Sequence, residues 1–360
     1  MKAGIASDLH CHAWTMFSRT NADGVNSRLR YTLNELSRAA NTVLAAGGDC
    51  LVISGDIFHT RGVLDPEVLN PTRATIREIL ESGVSIYAIP GNHDLKSKDT
   101  DELSSAIQNL TQETIEGATF RIFNRVGAIR HGPFTFGFVP WRWTTEALLE
   151  DLVELFKRPD ASKMDVFIHA GIDGVLSGMP AHGLTDAQLA AFGFRHVFAG
   201  HYHNHHDFKN GVISVGASTH QTWGDVGTRA GFLLLDADGT VTFNDTKAPK
   251  FIDLTGKDEL EMELECQGNF VRFRGPAMTQ DQIKDLREQF YAWGALGVSI
   301  EVPKAVVTAR TTAPAKGLTL EQSVEKFIAE SDPHPTLTAD QITKRALETL
   351  AASRIVYEEA

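Results

Sequence analysis

The residues best equipped for chemistry in this chain fall into five short blocks: Asp8-Leu9-His10, Gly55-Asp56, Gly91-Asn92-His93-Asp94, His169, and Gly200-His201-Tyr202-His203. They supply carboxylate, amide and imidazole donors without a thiolate, a set suited to Mn²⁺, Fe²⁺ or Zn²⁺ and less well to Mg²⁺. Residues two apart on an extended strand project to the same side, so Asp8 with His10, and His201 with His203, are expected to point together. Asp8, His10, Asp56, Asn92, His169, His201 and His203 are too many donors for one ion; two ions sharing a carboxylate would use them all, with Asp56 as the natural bridge. A pair of divalent ions about 3.5–4 Å apart clamps the attacking and leaving oxygens of a phosphoryl displacement and generates hydroxide at neutral pH. His93 stands beside a ligand without being needed as one, which frees it to protonate the leaving alkoxide or to hold the phosphate.

These blocks must be positioned by a scaffold, and the sequence around them has an α/β texture. Short β-branched runs read as strands over Ala3–Ala6, Leu51–Ser54, Ser85–Ile89, Val166–Ile168, His196–Ala199, Val212–Val215 and Gly231–Leu235. Leu29, Leu33, Leu36, Ala40, Val43 and Leu44 mark one face of a helix stopped by Gly47-Gly48, and Thr72 to Leu80 reads as another. Every polar block follows a strand, and the carboxyl edge of a layered α/β sheet is where loops converge on one crevice.

Near residue 256 the texture changes. Glu259 to Glu265 alternates charged and apolar residues, as an exposed-face strand would. Thr279 and Gln282 open a helix bearing Ile283, Leu286, Phe290 and Trp293, and Val298–Val302 reads as a strand, making a β-α-β unit. Thr311 to Gly317 reads as a linker, followed by amphipathic helices capped by Thr319 with Gln322 and by Thr338 with Gln341. The expected division is therefore 1–255 for the catalytic domain, 256–310 for a small α/β cap, and 311–360 for linker and terminal helices.

Composition limits the rest. At 360 residues and 42% apolar content the chain can bury a sizeable core. The opening residues meet Asp8 too soon for a signal-peptide core or a membrane span, so a cytoplasmic protein with no membrane association is expected. Cys11, Cys50 and Cys266 form no CxxC pair and read as buried thiols. The net charge of −12 is spread along the chain, so contact with a nucleic acid would have to come from metal ions, local Arg/Lys clusters or a partner.

Taken in order, the five blocks resemble the calcineurin-like metallophosphoesterases over residues 1–235. That resemblance implies a four-layer α/β sandwich, a first ion held by Asp8, His10, Asp56 and His203, a second by Asp56, Asn92, His169 and His201, and His93 next to the phosphate. Asp56-Ile57-Phe58-His59 and Val139-Pro140-Trp141-Arg142-Trp143 are similar to the SbcD/Mre nuclease branch and its phage relatives, in which the histidine matching His59 helps position DNA. The branch's layout of a core, a smaller α/β cap and C-terminal helices is also expected here. The resemblance implies a DNA nuclease (exo- or endonuclease) of repair or recombination, in a bacterium or a phage-infected host. It would use two divalent ions, Mn²⁺ first among them, a bridging hydroxide attacking in line, an SbcC/Rad-type ATPase partner and a homodimer. The alternatives are a small-substrate phosphodiesterase on the same core and a non-catalytic scaffold, which the complete ligand set disfavours. Arg272, Arg274 and Trp141 are candidate substrate contacts, against the simpler readings of strand-face ion pairs and a core tryptophan. His12 with the His205-His206 pair departs from the family pattern and reads as packing or a solvated turn.

Overall fold

Strands β1 (Lys2–Ala6), β2 (Cys50–Ser54) and β3 (Ser85–Ile89) run parallel, and nearly every side chain on them is buried, which is why they read as continuous apolar runs rather than as alternating ones. This computed structural model describes the chain except residues 98–99, 101, 104–106, 108–109, 111–113, 177, 179–180, 182, 304–317, 332–335 and 359–360. With β4 (Thr114–Ile115), β5 (Ala118–Ile122), β12 (Gly231–Asp236) and β13 (Val241–Asp245) they form a seven-stranded sheet ordered β13-β12-β1-β2-β3-β5-β4.

A second sheet holds β6 (Gly127–His131), β7 (Phe134–Val139), β8 (Met164–His169), β9 (His196–Gly200), β10 (His206–Asp207) and β11 (Val212–Ser214), ordered β10-β11-β9-β8-β7-β6. Phe134, Phe136, Phe138, Phe167 and Phe198 from this sheet meet Ile5, Val52, Tyr87 and Leu233 of the first, making a core between the sheets. Helices α1 (Ser27–Ala45) and α2 (Pro66–Glu81) cover the outer face of the first sheet. Helices α3 (Thr145–Phe156) and α4 (Asp186–Ala190) cover the second. The result is the expected four-layer sandwich.

The predicted face of α1 is the buried one, its N-terminus is capped by the Asn26 side chain, and it ends before Gly47, whose φ of 72° suits glycine. Helix α2 starts six residues before the expected Thr72, because Asp65 and Pro66 open it and Pro71 is tolerated inside its second turn.

The segment Glu259 to Glu265 is not a strand, which corrects the sequence reading. It lies in helix α5 (Glu259–Cys266), opened by a capping box in which Asp258 accepts the Glu261 N–H at 2.9 Å and Glu261 accepts the Asp258 N–H at 3.2 Å. A two-residue alternation also places residues four apart on one helical face, so Met262 and Cys266 turn inward while Leu260 and Leu264 stay exposed. The small sheet has three parallel strands, β14 (Phe251–Asp253), β15 (Phe270–Arg274) and β16 (Gly297–Glu301), joined through α5 and α6 (Gln280–Ala292). Its own core contains Leu254, Cys266, Val271, Phe290 and Val298.

The chain divides into two compact units, 1–275 with 280–301, and 276–279 with 302–360. In the second, α7 (Leu320–Glu330) and α8 (Ala339–Glu358) carry the expected Thr319–Gln322 and Thr338–Gln341 capping pairs, and the expected linker lies outside the described residues. No helix among the described residues is long and apolar enough to cross a membrane.

Candidate metal centre

The loops after β1, β2, β3, β8 and β9 meet on one side of the sandwich. The first two are stitched together by backbone hydrogen bonds, Asp8 N–H to Gly55 O at 3.1 Å, His10 N–H to Asp56 O at 2.9 Å and Cys11 N–H to Ile57 O at 2.9 Å. Asp8 and His10 do not lie on an extended strand as expected, because β1 ends at Ala6 and both residues take left-handed φ values of 50° and 44°. Asp56, at 51°, and His201, at 104°, are also at positive φ, and β9 ends at Gly200, so His201 and His203 do not lie on an extended strand either; such backbone, at a cost of order 1–3 kcal/mol per residue, persists only where its surroundings enforce it. Two glycines permit the approach: a Cβ on Gly55 would lie 2.1 Å from His169 Nδ1, and one on Gly91 would lie 2.2 Å from Asp56 Oδ1.

The seven expected donors come together. Asp56 Oδ2 lies 3.5 Å from His10 Nε2 and 3.4 Å from His169 Nε2, so one carboxylate oxygen faces imidazoles from both expected ligand sets. Asn92 Oδ1 lies 3.3 Å from His169 Nε2 and 3.2 Å from His201 Nδ1, while His10 Nε2 is 3.9 Å from Asp8 Oδ1. Asp8, His10 and His203 form one cluster able to hold an ion, and Asp8, Asp56 and His169 form another. Two donors bound at about 2.1 Å to the same ion are themselves roughly 3.0–3.4 Å apart, close to the spacings found here.

The remaining imidazole nitrogens are already engaged. His169 Nδ1–H donates to Ser54 O at 2.7 Å, and His203 Nδ1–H donates to Asp225 Oδ1 at 2.9 Å, which leaves each Nε2 as the atom available for a metal. Asp225 was not visible as a site residue in the sequence, nor was Gln221, whose side chain donates to Asp8 O at 2.9 Å.

Electrostatics favour cations in this place. Asp8, Asp56 and Asp94 are all buried, and among the described residues no lysine or arginine pairs with them. Burial opposes charge on Asp56, but His169 and His10 hold its carboxyl far below the usual range. Burial likewise opposes the His169 cation, yet Asp56 and Asp8 raise it to about 9. Burial raises Asp8, and burial with the Asp56 charge pushes Asp94 up to about 7 against three accepted N–H bonds. Burial lowers His10 well below its ordinary value and, with His169, brings His201 down to about 4, which favours the neutral imidazole at both. The donor chemistry, the spacing and buried carboxylates without a lysine or arginine partner fit two divalent ions.

His93 Nδ1–H donates to the His59 carbonyl at 2.6 Å, and its ring stacks on His59 with centroids 5.2 Å apart. His59 in turn reaches His10, Nδ1 to Nδ1 at 3.3 Å, and lies against Trp14 at 4.6 Å. Burial, together with His93 and His12, lowers His59 to about 4. Arg61, unmarked in the sequence, donates from Nε to Asn92 O at 2.8 Å. Cys11 is buried and its thiol is pushed up to about 12, in keeping with packing. His205 donates to Ser214 O at 3.0 Å and stacks on Phe243 at 4.1 Å, and His206 lies in the edge strand β10.

Trp141 lies beside the centre, its ring 5.2 Å from that of His201. Arg272 and Arg274 lie in β15 of the small sheet, engaged with acids: Arg272 with Asp253 at 2.7 Å and Arg274 with Glu301 at 3.2 Å.

Comparison with known proteins accords with this geometry. Residues 1–205 match the family model described as calcineurin-like phosphoesterase. Exonuclease subunit 1 of Enterobacteria phage T4 is 23% identical over 186 residues, 51% of this chain and 52% of that protein, so the match spans about half of each. Among solved structures, a dimetal phosphatase from Danio rerio is 12% identical with a TM-score of 0.35, covering 65% of this chain and 91% of that one. GAP50, the anchor in the inner membrane complex of Plasmodium, is 11% identical with a TM-score of 0.36, covering 89% and 99%.

Proposed function

Because the chain belongs to the calcineurin-like phosphoesterase family, a family of hydrolases with a dinuclear metal site, we propose that it is a Mn²⁺-dependent phosphodiesterase acting on DNA in repair or recombination. The observation that carries the reading is Asp56 Oδ2 placed between His10 Nε2 and His169 Nε2, at 3.5 and 3.4 Å. Asp8, His10, Asp56 and His203 would hold one ion, and Asp56, Asn92, His169 and His201 the other. When bound, the two ions supply an acidified water and neutralise charge on the phosphate.

The chain's own residues provide the rest. The His59 carbonyl holds the Nδ1 proton of His93, so Nε2 is the atom that can pass a proton to the leaving oxygen. His59 packs on both His93 and His10 and supports their rings where the polymer would lie. Arg61 holds the backbone carbonyl of Asn92, the residue whose side-chain Oδ1 faces both His169 and His201.

DNA as substrate is supported by the match to a phage exonuclease subunit. The word subunit in that protein's name supports a partner here, which we take to be an SbcC/Rad-type ATPase, with the nuclease itself dimeric. Leu320 and Phe327 on α7 are exposed and offer apolar surface for such contacts. The test is incubation with Mn²⁺ and a panel of single- and double-stranded DNA beside bis(p-nitrophenyl) phosphate. DNA cleavage that chelator abolishes and Mn²⁺ restores is expected; hydrolysis of the chromogenic diester with every DNA left intact would leave only the small-substrate activity.

A further inference from the structure

A cavity of about 290 Å³ opens beside the centre, and two of the expected ligands, His169 and His201, form part of its wall. Three further rings, Trp141, Trp143 and Tyr202, stand in the wall among threonine and aliphatic side chains. Trp141 and Trp143 meet edge to face, with centroids 6.1 Å apart and planes at 85°, and Tyr202 sits next to His201 at 5.3 Å. Gly171 lets the tyrosine ring close onto the loop after β8, since a Cβ there would lie 2.7 Å from Tyr202 Cζ. Trp143 is 45% exposed, a large aromatic surface that its own fold does not cover.

The charge in this wall decides what it can take. Its arginine, Arg142, is bound to Asp151 at 2.6 Å, so the cavity presents rings rather than a free cation. A further phosphate would find little there, whereas a nucleobase would find π-faces. The volume lies close to the lower end of the range of about 300–1,000 Å³ for small-molecule pockets, in keeping with a ligand the size of one planar base.

We infer that this cavity is a subsite for a single unstacked nucleobase, belonging to a nucleotide next to the scissile phosphate. The inference rests on the nuclease reading and narrows it: the substrate is an unpaired or frayed strand, and a duplex end reacts only after its terminal base leaves the stack. Unstacking costs least when the base is already unpaired or mismatched, which sets the order of preference.

Two measurements test it. In chelator, without metal or turnover, a short single-stranded oligonucleotide is titrated against intrinsic tryptophan fluorescence for the wild type, Trp143→Ala and Trp143→Phe. With Mn²⁺, kcat/KM is compared for oligonucleotides carrying a base or an abasic residue at the cleaved end. Base stacking on an aromatic side chain corresponds to about 10–100-fold. The wild type is expected to favour the base-bearing end by about that factor, Trp143→Ala to lose most of the preference and to bind the oligonucleotide correspondingly more weakly, and Trp143→Phe to recover much of both. A wild type that cleaves abasic and base-bearing ends equally, or a Trp143→Ala variant that keeps the preference, overturns the subsite while leaving the nuclease reading intact. A wild type that hydrolyses bis(p-nitrophenyl) phosphate but no oligonucleotide overturns both.

Discussion

Asp94 offers the sharpest test of how the centre is held, because it belongs to a motif block without being a ligand. Its carboxylate is fully buried and accepts three backbone N–H bonds, from Gly91 at 3.0 Å, Ile57 at 3.2 Å and Phe58 at 3.0 Å. Those bonds tie the Asp56 loop to the Asn92 loop and so fix the spacing between two expected ligands. Asp94→Ala leaves three buried donors without acceptors, at about 1–3 kcal/mol each, so a loss of roughly 3–9 kcal/mol is expected, a large part of an ordinary domain's stability. Asp94→Asn keeps the shape but has one acceptor oxygen. Placed where Oδ2 was, it holds Gly91 and Ile57 and turns an NH₂ group toward the Phe58 N–H, for an expected loss of about 2–3 kcal/mol. Urea unfolding in chelator at about pH 8, above the value of about 7 to which the Asp94 carboxyl is raised, measures this tie without ion binding, and elemental analysis after Mn²⁺ loading measures its effect on metal content. If Asp94→Asn in chelator unfolds within about 0.5 kcal/mol of the wild type, the carboxylate does not hold the loops.

Asp56→Asn should be the most damaging single ligand change, with metal content falling toward zero; near-normal metal and turnover would refute the bridge. His93→Ala should retain its metal while turnover falls by about 10²–10⁴, and loss of metal on elemental analysis would show that His93 is a ligand. At Asp253 partial burial opposes the charge, but the Thr255 hydroxyl and Arg272 hold the carboxyl down at about 2, so its stabilisation is present above the ordinary carboxylate pKa and is lost as pH falls toward 2. Asp253→Asn should therefore unfold about 1–2 kcal/mol more easily near neutral pH, with the gap closing between about pH 4 and pH 2; a gap independent of pH would refute this. Binding of single-stranded DNA in chelator should weaken with salt along a log–log slope of roughly −1 to −2, the signature of few phosphate contacts, and a slope steeper than about −4 would contradict it.

The candidate ligands were legible because each follows or ends a strand whose burial on both faces makes it an unbroken apolar run. Asp56 directly follows Gly55 after β2, and His169 is the last residue of β8. What supports them was not legible. Asp225 reaches His203 across 22 residues, and Gln221 reaches Asp8 across 213, pairings that only the folded chain creates. The left-handed backbone at Asp8, His10 and Asp56 was hidden for the same reason: nothing local asks for it, and the hydrogen bonds from Asp8, His10 and Cys11 to the β2 loop impose it. Helix α5 misled because Leu-x-Met-x-Leu spacing satisfies a strand face and also leaves Met262 and Cys266 one helical turn apart. The Asp258–Glu261 capping box was the local signal that separates the two.

The acidic composition raises the question of how a chain with a net charge of −12 would hold a polyanion. Many of its arginines are already committed: Arg38 to Glu35, Arg142 to Asp151, Arg195 to Asp165, Arg272 to Asp253 and Arg274 to Glu301. Arg28 lies over the rings of Trp14 and Phe251. Arg61 differs, since its Nε holds a backbone carbonyl rather than a carboxylate, and it does so at Asn92 in the centre itself. At the centre itself, positive charge for a phosphate would come from the ions that Asp8 and Asp56 would bind and from the Arg61 guanidinium. Beside the centre, the rings of Trp141, Trp143 and Tyr202 would hold a base without charge under the proposed subsite. If the proposed subsite holds, an acidic exterior would work for selectivity: intact duplex, recognised chiefly through its regular array of phosphates, would be repelled, and an unpaired strand would be admitted by its bases.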